Sequence, residues 1–393
     1  MHDSVPSSVP TREEIQFDLR ALFRGAITFT LEFMLEEMVK EMIGARRYER
    51  IVGRRDRRNG SYLRELVTSL GTIEVRVPRT RHSGSPTEVL GRYRRRTDAV
   101  DKTICAAYVR GVSTRGMAEV TRALLGRELG RSSVSRITAR LAEHVEALRT
   151  APIDRPVPYL FLDATFLDAR WASSVENVSV LVAYGIDEEG YRRLLAITIG
   201  PQESEESWHD LLAQLLDRGL HGVRLVVADA HRGLANAVRK LLPEVPLQRC
   251  TVHLARNVAA KVPRTHRARI AREAAAVLHA DGPGDARKRL EAFRHRFART
   301  FPEAVEVLEA GFAEATRYFQ FPPAHWSRIR STNGLERLHR EIKRRTSAVG
   351  AFPDRQSALR LVTAVALHAT KPWDQRRYLD MTLLDQQTTT ATR

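Results

Sequence analysis

Residues 159–200 read YLFLDATFLDARWASSVENVSVLVAYGIDEEGYRRLLAITIG. Three apolar runs in this stretch, over 159–162, 178–184 and 192–199, have the length and the β-branched or aromatic content of strands. The polar residues 187–190 (DEEG) turn the chain between the last two runs. The pattern predicts three strands that follow one another as a meander.

The pattern changes after residue 200. Residues 204–217 place Trp208 and several leucines on one helical face, and residues 223–228 are a short apolar run. A second helical pattern over 232–242 and a strand pattern over 247–250 follow. This order of elements predicts a mixed sheet with an antiparallel edge and helical crossovers. The ribonuclease H-like fold has the same order, so we expect an α/β core of that class.

Two aspartates follow apolar runs that are predicted to be strands. Asp163 comes directly after the run 159–162, and Asp229 directly after the run 223–228. In the predicted strand order the first and fourth strands are parallel neighbours, so both carboxylates should lie side by side at one sheet edge. A divalent cation between them would turn their repulsion into binding. Seen alone, an aspartate after a strand is more often a turn or cap residue.

A third acid stands in a strongly basic segment, STNGLERLHREIKRR, residues 331–345. Asn333 can cap a helix here, with Glu336 in its first turn. An acid beside a basic helical face suits phosphate chemistry, although Asn333 and Glu336 also fit a capping box that needs no metal. Four basic residues repeat at helical spacing in this segment and are predicted to bind DNA: Arg337, Arg340, Lys343 and Arg344.

The composition favours a nucleic-acid partner in a reducing compartment. A net charge of +17 on 393 residues attracts polyanions. Two cysteines cannot build a disulfide framework, and the N-terminus does not resemble a secretory signal, so we expect a cytoplasmic protein. Acidic residues interrupt the apolar stretch 27–39, which excludes a membrane span there.

The N-terminal third predicts a helix followed by a hairpin. Residues 12–46 carry one continuous apolar stripe at helical spacing. Runs over 62–67 and 72–77 flank a short turn and predict two antiparallel strands. Residues 83–95 are expected to form a linker.

Two short helical patterns separated by Gly126 and Gly130 predict a helix-turn-helix. Ser132 or Ser133 can cap the second helix, whose apolar positions run from Val134 to Leu148. Arg136 and Arg140 are left outside to contact a DNA groove. A plain helical hairpin between two domains is the alternative interpretation, because spacing alone permits both.

Two further motifs are better explained by packing than by ligand binding. Cys250 and His253 have the spacing of half a zinc site, but no second pair of ligands stands at a suitable distance along the chain. Trp208 and Trp326 are able to stack on bases, yet they occupy apolar helical positions, which favours the core.

Several stretches together resemble the mutator-type family of bacterial insertion-sequence transposases, and the resemblance spans most of the chain. Ala164, Ala230 and His339 depart from the residues that we expect for this family, namely glycine after each aspartate and a common asparagine. The stretches that carry the resemblance are residues 58–60 (RNG), 71–79 (GTIEVRVPR), 159–163 (YLFLD), 248–253 (QRCTVH) and the Glu336 segment through 350–353 (GAFP).

The resemblance implies an enzyme with an Asp-Asp-Glu triad formed by Asp163, Asp229 and Glu336. Cys250 and His253 would support the geometry of this site. The family implies two Mg²⁺ or Mn²⁺ ions per active site, cleavage at the inverted-repeat ends of an element, and strand transfer into target DNA. It also implies double-stranded DNA as the partner, a homodimer, and action at the nucleoid.

These predictions divide the chain into six segments with different roles. Two alternatives remain: a DNA-binding regulator derived from a transposase, and a nuclease that cleaves without joining. The predicted segments are an N-terminal helix and hairpin for DNA binding or dimerisation (1–84), a helix-turn-helix-like DNA-binding region (85–155), the first part of the ribonuclease H-like core (156–253), a helical insertion (254–325), the last part of the core with the catalytic glutamate helix (326–372), and a flexible tail (373–393).

Overall fold

The computed structural model describes residues 12–86, 90, 95–171, 174–349, 351–384 and 386. The chain forms two compact units, Met1–Thr138 and Ala139–Arg393. No helix among the described residues combines the length and the apolar character that a membrane span needs. Parts of the predicted linker 83–95 and of the predicted tail, together with Gly350, lie outside the described residues.

The first unit begins with the predicted helix and hairpin. Helix α1 (Arg12–Ile43) packs on strand β2 (Gly71–Thr80), which pairs antiparallel with β1 (Arg58–Thr68). The apolar side chains of Leu35 and Val75 are fully buried in this small core. Both predictions are confirmed, and the strands extend a few residues beyond their apolar centres.

Three helices complete the first unit: α2 (Asp98–Val109), α3 (Gly116–Leu125) and α4 (Arg131–Thr138). Gly126 adopts a left-handed conformation and ends α3. Helix α4 starts before the predicted serine caps, because the carbonyl of Gly130 already accepts the amides of Ser133 and Val134. The first apolar residues predicted for the second helix therefore lie on α4 and pack inside this unit. The apolar core around α2, α3 and α4 consists of Val67, Val100, Ile104, Met117, Leu125, Leu129, Val134 and Ile137.

The second predicted helix does not continue as one element beyond Thr138. A 3₁₀ turn (Ala139–Leu141) and α5 (Ala142–Thr150) open the second unit instead. The side chains of Arg136 and Arg140 are both exposed, as the helix-turn-helix interpretation requires.

A five-stranded mixed sheet forms the centre of the second unit, in the order β5-β4-β3-β6-β7. Strands β3, β4 and β5 pair antiparallel, whereas β3–β6 and β6–β7 are parallel. The predicted mixed sheet, and the parallel contact between its first and fourth strands, are confirmed. The strands are β3 (Tyr159–Trp171), β4 (Ser174–Ile186), β5 (Arg192–Gly200), β6 (Leu225–Ala228) and β7 (Leu247–Arg249).

Strand β3 is much longer than the run 159–162 that predicts it. It pairs with β4 over its whole length, with Asp163 opposite Val182, and Phe352 forms hydrogen bonds with its far end. The parallel pairing with β6 stops at Phe161. The prediction that Asp163 ends a strand is therefore wrong, because Asp163 lies inside β3, just past the point where its parallel neighbour ends.

Helices α6 (Glu205–Asp217) and α7 (Arg232–Leu241) supply apolar side chains to the sheet core. Trp208 is fully buried there, and its indole N–H donates to Glu203 Oε1 at 3.0 Å. Trp326 packs edge-on against Tyr318. Core packing is confirmed for Trp208, whereas Trp326 is half-buried.

A separate helical layer with its own apolar core follows β7. Its two ends meet, because the amide of Thr251 donates to the carbonyl of Arg330 at 3.0 Å. The helices of this layer are α8 (Thr251–Ala260), α9 (Arg267–Leu278), α10 (Pro283–Phe297) and α11 (Pro302–Ala315), and α12 (Pro323–Ile329) leads back to the sheet.

The chain closes with α13 (Asn333–Thr346) and α14 (Arg355–Thr370). Beyond them, Trp373, Leu379 and Leu384 are still buried. The packed part of the chain thus extends past residue 372, where periodicity alone placed the start of a tail, because a few isolated apolar side chains are enough to attach this segment.

Candidate active site

Asp163 is a buried carboxyl group, with only 8% of the residue exposed. Burial raises its pKa to about 7, and the nearby negative charges of Asp229 and Glu336 act in the same direction. The charge of His253 and a hydrogen bond from the amide of Ala164 oppose the shift. The acid therefore lies in a region where negative charge is poorly compensated.

Asp229 directly follows β6 and is half-buried. Its Oδ1 accepts the amide of Ala230 at 2.7 Å. The imidazole of His253 lies between Asp229 and the third acid: its Nδ1 is 4.0 Å from Asp229 Oδ2, and its Nε2 is 3.6 Å from Glu336 Oε1. The three predicted acids thus come together around one histidine.

Glu336 is in the first turn of α13. The start of this helix packs closely on the sheet at Gly334. A Cβ at this position would lie only 2.7 Å from Tyr184 Oη, so the close contact requires glycine. Thr332, not Asn333, is the N-cap residue, and the cap position makes no side-chain cap hydrogen bond. The prediction that Asn333 caps the helix is therefore wrong, and the capping-box alternative lacks its capping residue.

The carboxylate of Glu336 is instead held by Arg256 of α8. The guanidinium donates from Nη1 to Oε1 at 2.7 Å and from Nη2 to Oε2 at 3.3 Å. Sequence reasoning did not identify Arg256 as a site residue. The available signal was its position three residues after His253, which places both side chains on one face of a helix.

Cys250 and His253 connect the start of α8 to the acids. The buried thiol of Cys250 accepts the amide of Thr332 at 3.4 Å, which links it to the start of α13. Burial raises the pKa of Cys250, but interactions with His253 and Thr332 outweigh this and lower it. The interaction with Cys250 in turn raises the pKa of His253 to about 9, so the imidazole is a cation at neutral pH.

His339 is a second histidine beside the acids, one helical turn after Glu336. Its Nδ1 is 3.5 Å from Asp163 Oδ2. Burial lowers the pKa of His339 to about 3, with the charges of Lys343 and His253 acting in the same direction. His339 is thus a neutral neighbour of Asp163, whereas His253 is a charged one.

The outer face of α13 is cationic, as its sequence predicts. Leu335, Leu338 and Ile342 are buried on the inner face. Arg344 forms an ion pair with Glu341 at 2.7 Å on the outside. The four basic residues predicted to bind DNA are all exposed: Arg337, Arg340, Lys343 and Arg344.

Positive side chains already balance part of the negative charge at the acids. Over the residues that the structure describes, no three His, Cys, Asp or Glu side chains are arranged as a metal site. His253 and Arg256 are the positively charged side chains beside Glu336. The carboxylate of Glu336 is thus already paired within the chain, by the bidentate contact with Arg256.

Comparison with known proteins gives consistent matches along the chain. The family model described as "Transposase, Mutator family" matches residues 4–376. The chain is 37% identical over 340 residues to the transposase of insertion sequence element ISRM5 from Rhizobium meliloti, covering 86% of this chain and 85% of the relative. It is 39% identical over 334 residues to that of IS406 from Burkholderia multivorans, covering 84% and 86%.

A third relative extends the match. The transposase of IS1081 from Mycobacterium tuberculosis is 34% identical over 366 residues, covering 92% of this chain and 88% of the relative. Among solved structures, the Drosophila P element transposase strand transfer complex matches with a TM-score of 0.32 at 10% identity, over 74% of this chain and 85% of that one, which is too low to define the fold. The family model and the three relatives agree, and the chain belongs to the Mutator family of transposases.

Proposed function

We propose that this protein cleaves the inverted-repeat ends of an insertion sequence and joins them to target DNA by metal-dependent phosphoryl transfer. The observation that carries the proposal is the position of His253, whose two ring nitrogens lie 4.0 Å from Asp229 and 3.6 Å from Glu336. Both of these acids also raise the pKa of the buried Asp163. Three acids that are distant in sequence thus share one electrostatic environment.

The sheet topology supports a ribonuclease H-like core for this activity. Three antiparallel strands lie on one side of the sheet and two parallel strands on the other. Asp163 and Asp229 stand where the parallel contact of their strands ends. Sites in open mixed sheets collect at such edges, where adjacent strands release their side chains into a crevice.

The donor set of the site fits hard divalent cations. Asp163, Asp229 and Glu336 would hold Mg²⁺ or Mn²⁺, which prefer carboxylate oxygen ligands. The raised pKa of Asp163 indicates negative charge that a cation would stabilise. When bound, two such ions would supply Lewis-acid activation of the attacking and leaving oxygens.

The other side chains of the site position these acids and the DNA. Cys250 and Thr332 fix the start of α8 against α13, which keeps His253 between Asp229 and Glu336. Arg256 neutralises Glu336 until a cation takes its place. The exposed basic face of α13 would hold the phosphate backbone beside the acids, and Arg136 and Arg140 would contact DNA from the helix-turn-helix region. A homodimer acting at the nucleoid would bring two ends together.

Cleavage of DNA made from the sequence that flanks the gene tests the proposal. With Mn²⁺, we expect wild-type protein to cut the end and to join the new 3′-hydroxyl to a second duplex. Asp163→Asn should lower both rates roughly 10³-fold and leave DNA binding intact, because several kcal/mol of transition-state stabilisation depend on this ligand.

A matched control and the product pattern separate the alternatives. Asp168→Asn changes an exposed carboxylate of the same strand, which accepts a hydrogen bond from Asn177, and should retain activity. A DNA-binding regulator would shift the DNA in a gel and leave it uncut. A nuclease would produce cut ends that are never joined.

A further inference from the structure

A cavity of about 300 Å³ opens beside Asp229, between α7, β7 and α11. Two apolar residues of α7 and β7, Ala235 and Leu247, form part of its wall, together with Ala230. None of the described residues that line it is aromatic. Its charged and amide groups are Asp229, Arg232, Asn236, Arg239, Arg249 and Glu314.

The three arginines of this cavity are available for a ligand. Arg232 and Arg239 are exposed, and Arg239 donates to the side-chain oxygen of Asn236 at 3.0 Å. Among the described residues, none of the three forms an ion pair with an acid. Among its described lining residues, the cavity thus has three cationic groups against two acids.

Arg249 packs against α11 and has one buried N–H donor without an acceptor among the described residues. Its guanidinium lies against α11 at Gly311, where an added Cβ would be 2.6 Å from Arg249 Nη1. Its Nε is buried and has no hydrogen-bond partner. Leaving a buried charged donor unpaired is unfavourable, so this arginine lacks an acceptor that a ligand would supply.

We propose that this cavity binds a backbone phosphate of the DNA strand next to the bond that is cleaved. The inference builds on the proposed function, because it assigns the substrate group that sits beside Asp229. Planar guanidinium forks match phosphate oxygens in pairs, and several arginines around one small cavity suit a doubly coordinated phosphate. A nucleobase fits less well, because bases are usually bound by aromatic stacking and none of the described residues that line the cavity is aromatic.

Single neutral phosphates in the DNA test this assignment. End duplexes would each carry one methylphosphonate, scanned across the cleavage site, and binding would be measured in Ca²⁺ without turnover. We expect wild-type protein to lose about tenfold in affinity at one or two positions next to the cleaved bond, as removal of a charge-assisted hydrogen bond does.

The double variant Arg232→Ala/Arg239→Ala identifies where that phosphate is bound. Both side chains are exposed on α7, so the fold should be retained, and the sensitivity to the neutral phosphate should disappear. The control Arg287→Ala/Lys288→Ala removes the same charge from an exposed part of α10 and should keep the wild-type pattern. Arg249→Lys keeps the charge but loses the fork and should reduce the sensitivity in part.

Three results would overturn the assignment. One is that the double variant keeps the same sensitive positions, and another is that no position is sensitive in wild-type protein. The third concerns DNA with an abasic site. If the double variant no longer responds to the abasic site but still responds to the neutral phosphate, a base occupies the cavity. Binding is read without turnover, so failure of the proposed cleavage activity would appear separately, as uncut DNA in Mn²⁺.

Discussion

The acids and the neighbouring cavity are two charged regions that share Asp229 but differ in how their charges are paired. Glu336 already has a bidentate partner in Arg256, and His253 lies between two of the acids. In the cavity, by contrast, Arg249 packs against Gly311, and its Nε has no hydrogen-bond partner among the described residues. Glu336 is thus paired within the chain, whereas a donor of Arg249 lacks an acceptor among the described residues.

The largest effect should come from removing an acid. Glu336→Gln should lower DNA cleavage roughly 10³-fold, because the amide is a poor ligand for a hard cation. Glu341→Gln is the matched control: it lies on the same helix and pairs with Arg344 and Arg345, so its loss should change cleavage little. Equal losses in both variants would show that the basic face, and not the acid, matters.

The acids should also make the metal-free protein sensitive to pH. The pKa of Asp163 is raised from 3.8 to about 7, so between these values the folded chain holds a proton that the unfolded chain releases. The contribution of this group to stability is therefore complete below pH 4 and is lost as the pH rises through about 7.

Asp163→Asn should remove this pH dependence. In EDTA, the Tm of wild-type protein should fall more between pH 5 and pH 8 than that of the variant, as measured by thermal unfolding. The exposed Asp168→Asn control should follow wild type. Parallel curves for Asp163→Asn and wild type would contradict the origin of the shift.

A substitution at Gly311, where Arg249 packs against α11, should change the stability of the protein. The added Cβ of Gly311→Ala would lie within 3 Å of both Arg249 and Leu254, and the variant should lower the free energy of unfolding by about 2 kcal/mol through overpacking. In an open helix the same substitution is stabilising by roughly 0.5–1 kcal/mol, so the sign is diagnostic. Ala313→Gly, at an exposed position of the same helix, gives the size of the helix effect alone. A stabilised Gly311→Ala variant would mean that Arg249 moves freely.

The smallest effect should come from the exchangeable partner of Glu336. Arg256→Ala should tighten Mn²⁺ binding about fivefold in calorimetry without DNA, because a half-exposed ion pair worth about 1 kcal/mol no longer competes. Lys261→Ala breaks the exposed pair with Glu303 near the end of the same helix and should leave Mn²⁺ affinity unchanged. Unchanged affinity in both variants would remove Arg256 from the site.

Local patterns predicted the strand order because it depends on short apolar runs and turns. The length of β3 was not predictable, since Asp163 stays in the strand through pairing with β4 and through hydrogen bonds with Phe352, both of which are distant in sequence. That Asp229 and Glu336 both lie beside His253 does not follow from local patterns, because a helical layer separates the two acids along the chain, and only the family resemblance implied it. Composition also hides Arg256, which is one of 64 Lys and Arg residues.

The hydrogen bond between Thr251 and Arg330 gives the helical layer a narrow neck, since the chain leaves the sheet and returns to it at neighbouring points. Because the two ends of the helical layer are held together at this hydrogen bond, the entropic cost of closing the layer rises only slowly with the number of residues in it. Helices α9 and α10 can therefore lengthen, shorten or acquire new surfaces over evolution, whereas α11 is tied to the sheet, because its Ala315 carbonyl accepts a hydrogen bond from Gln248. The surface of the helical layer can in this way change without any change in the arrangement of the three acids.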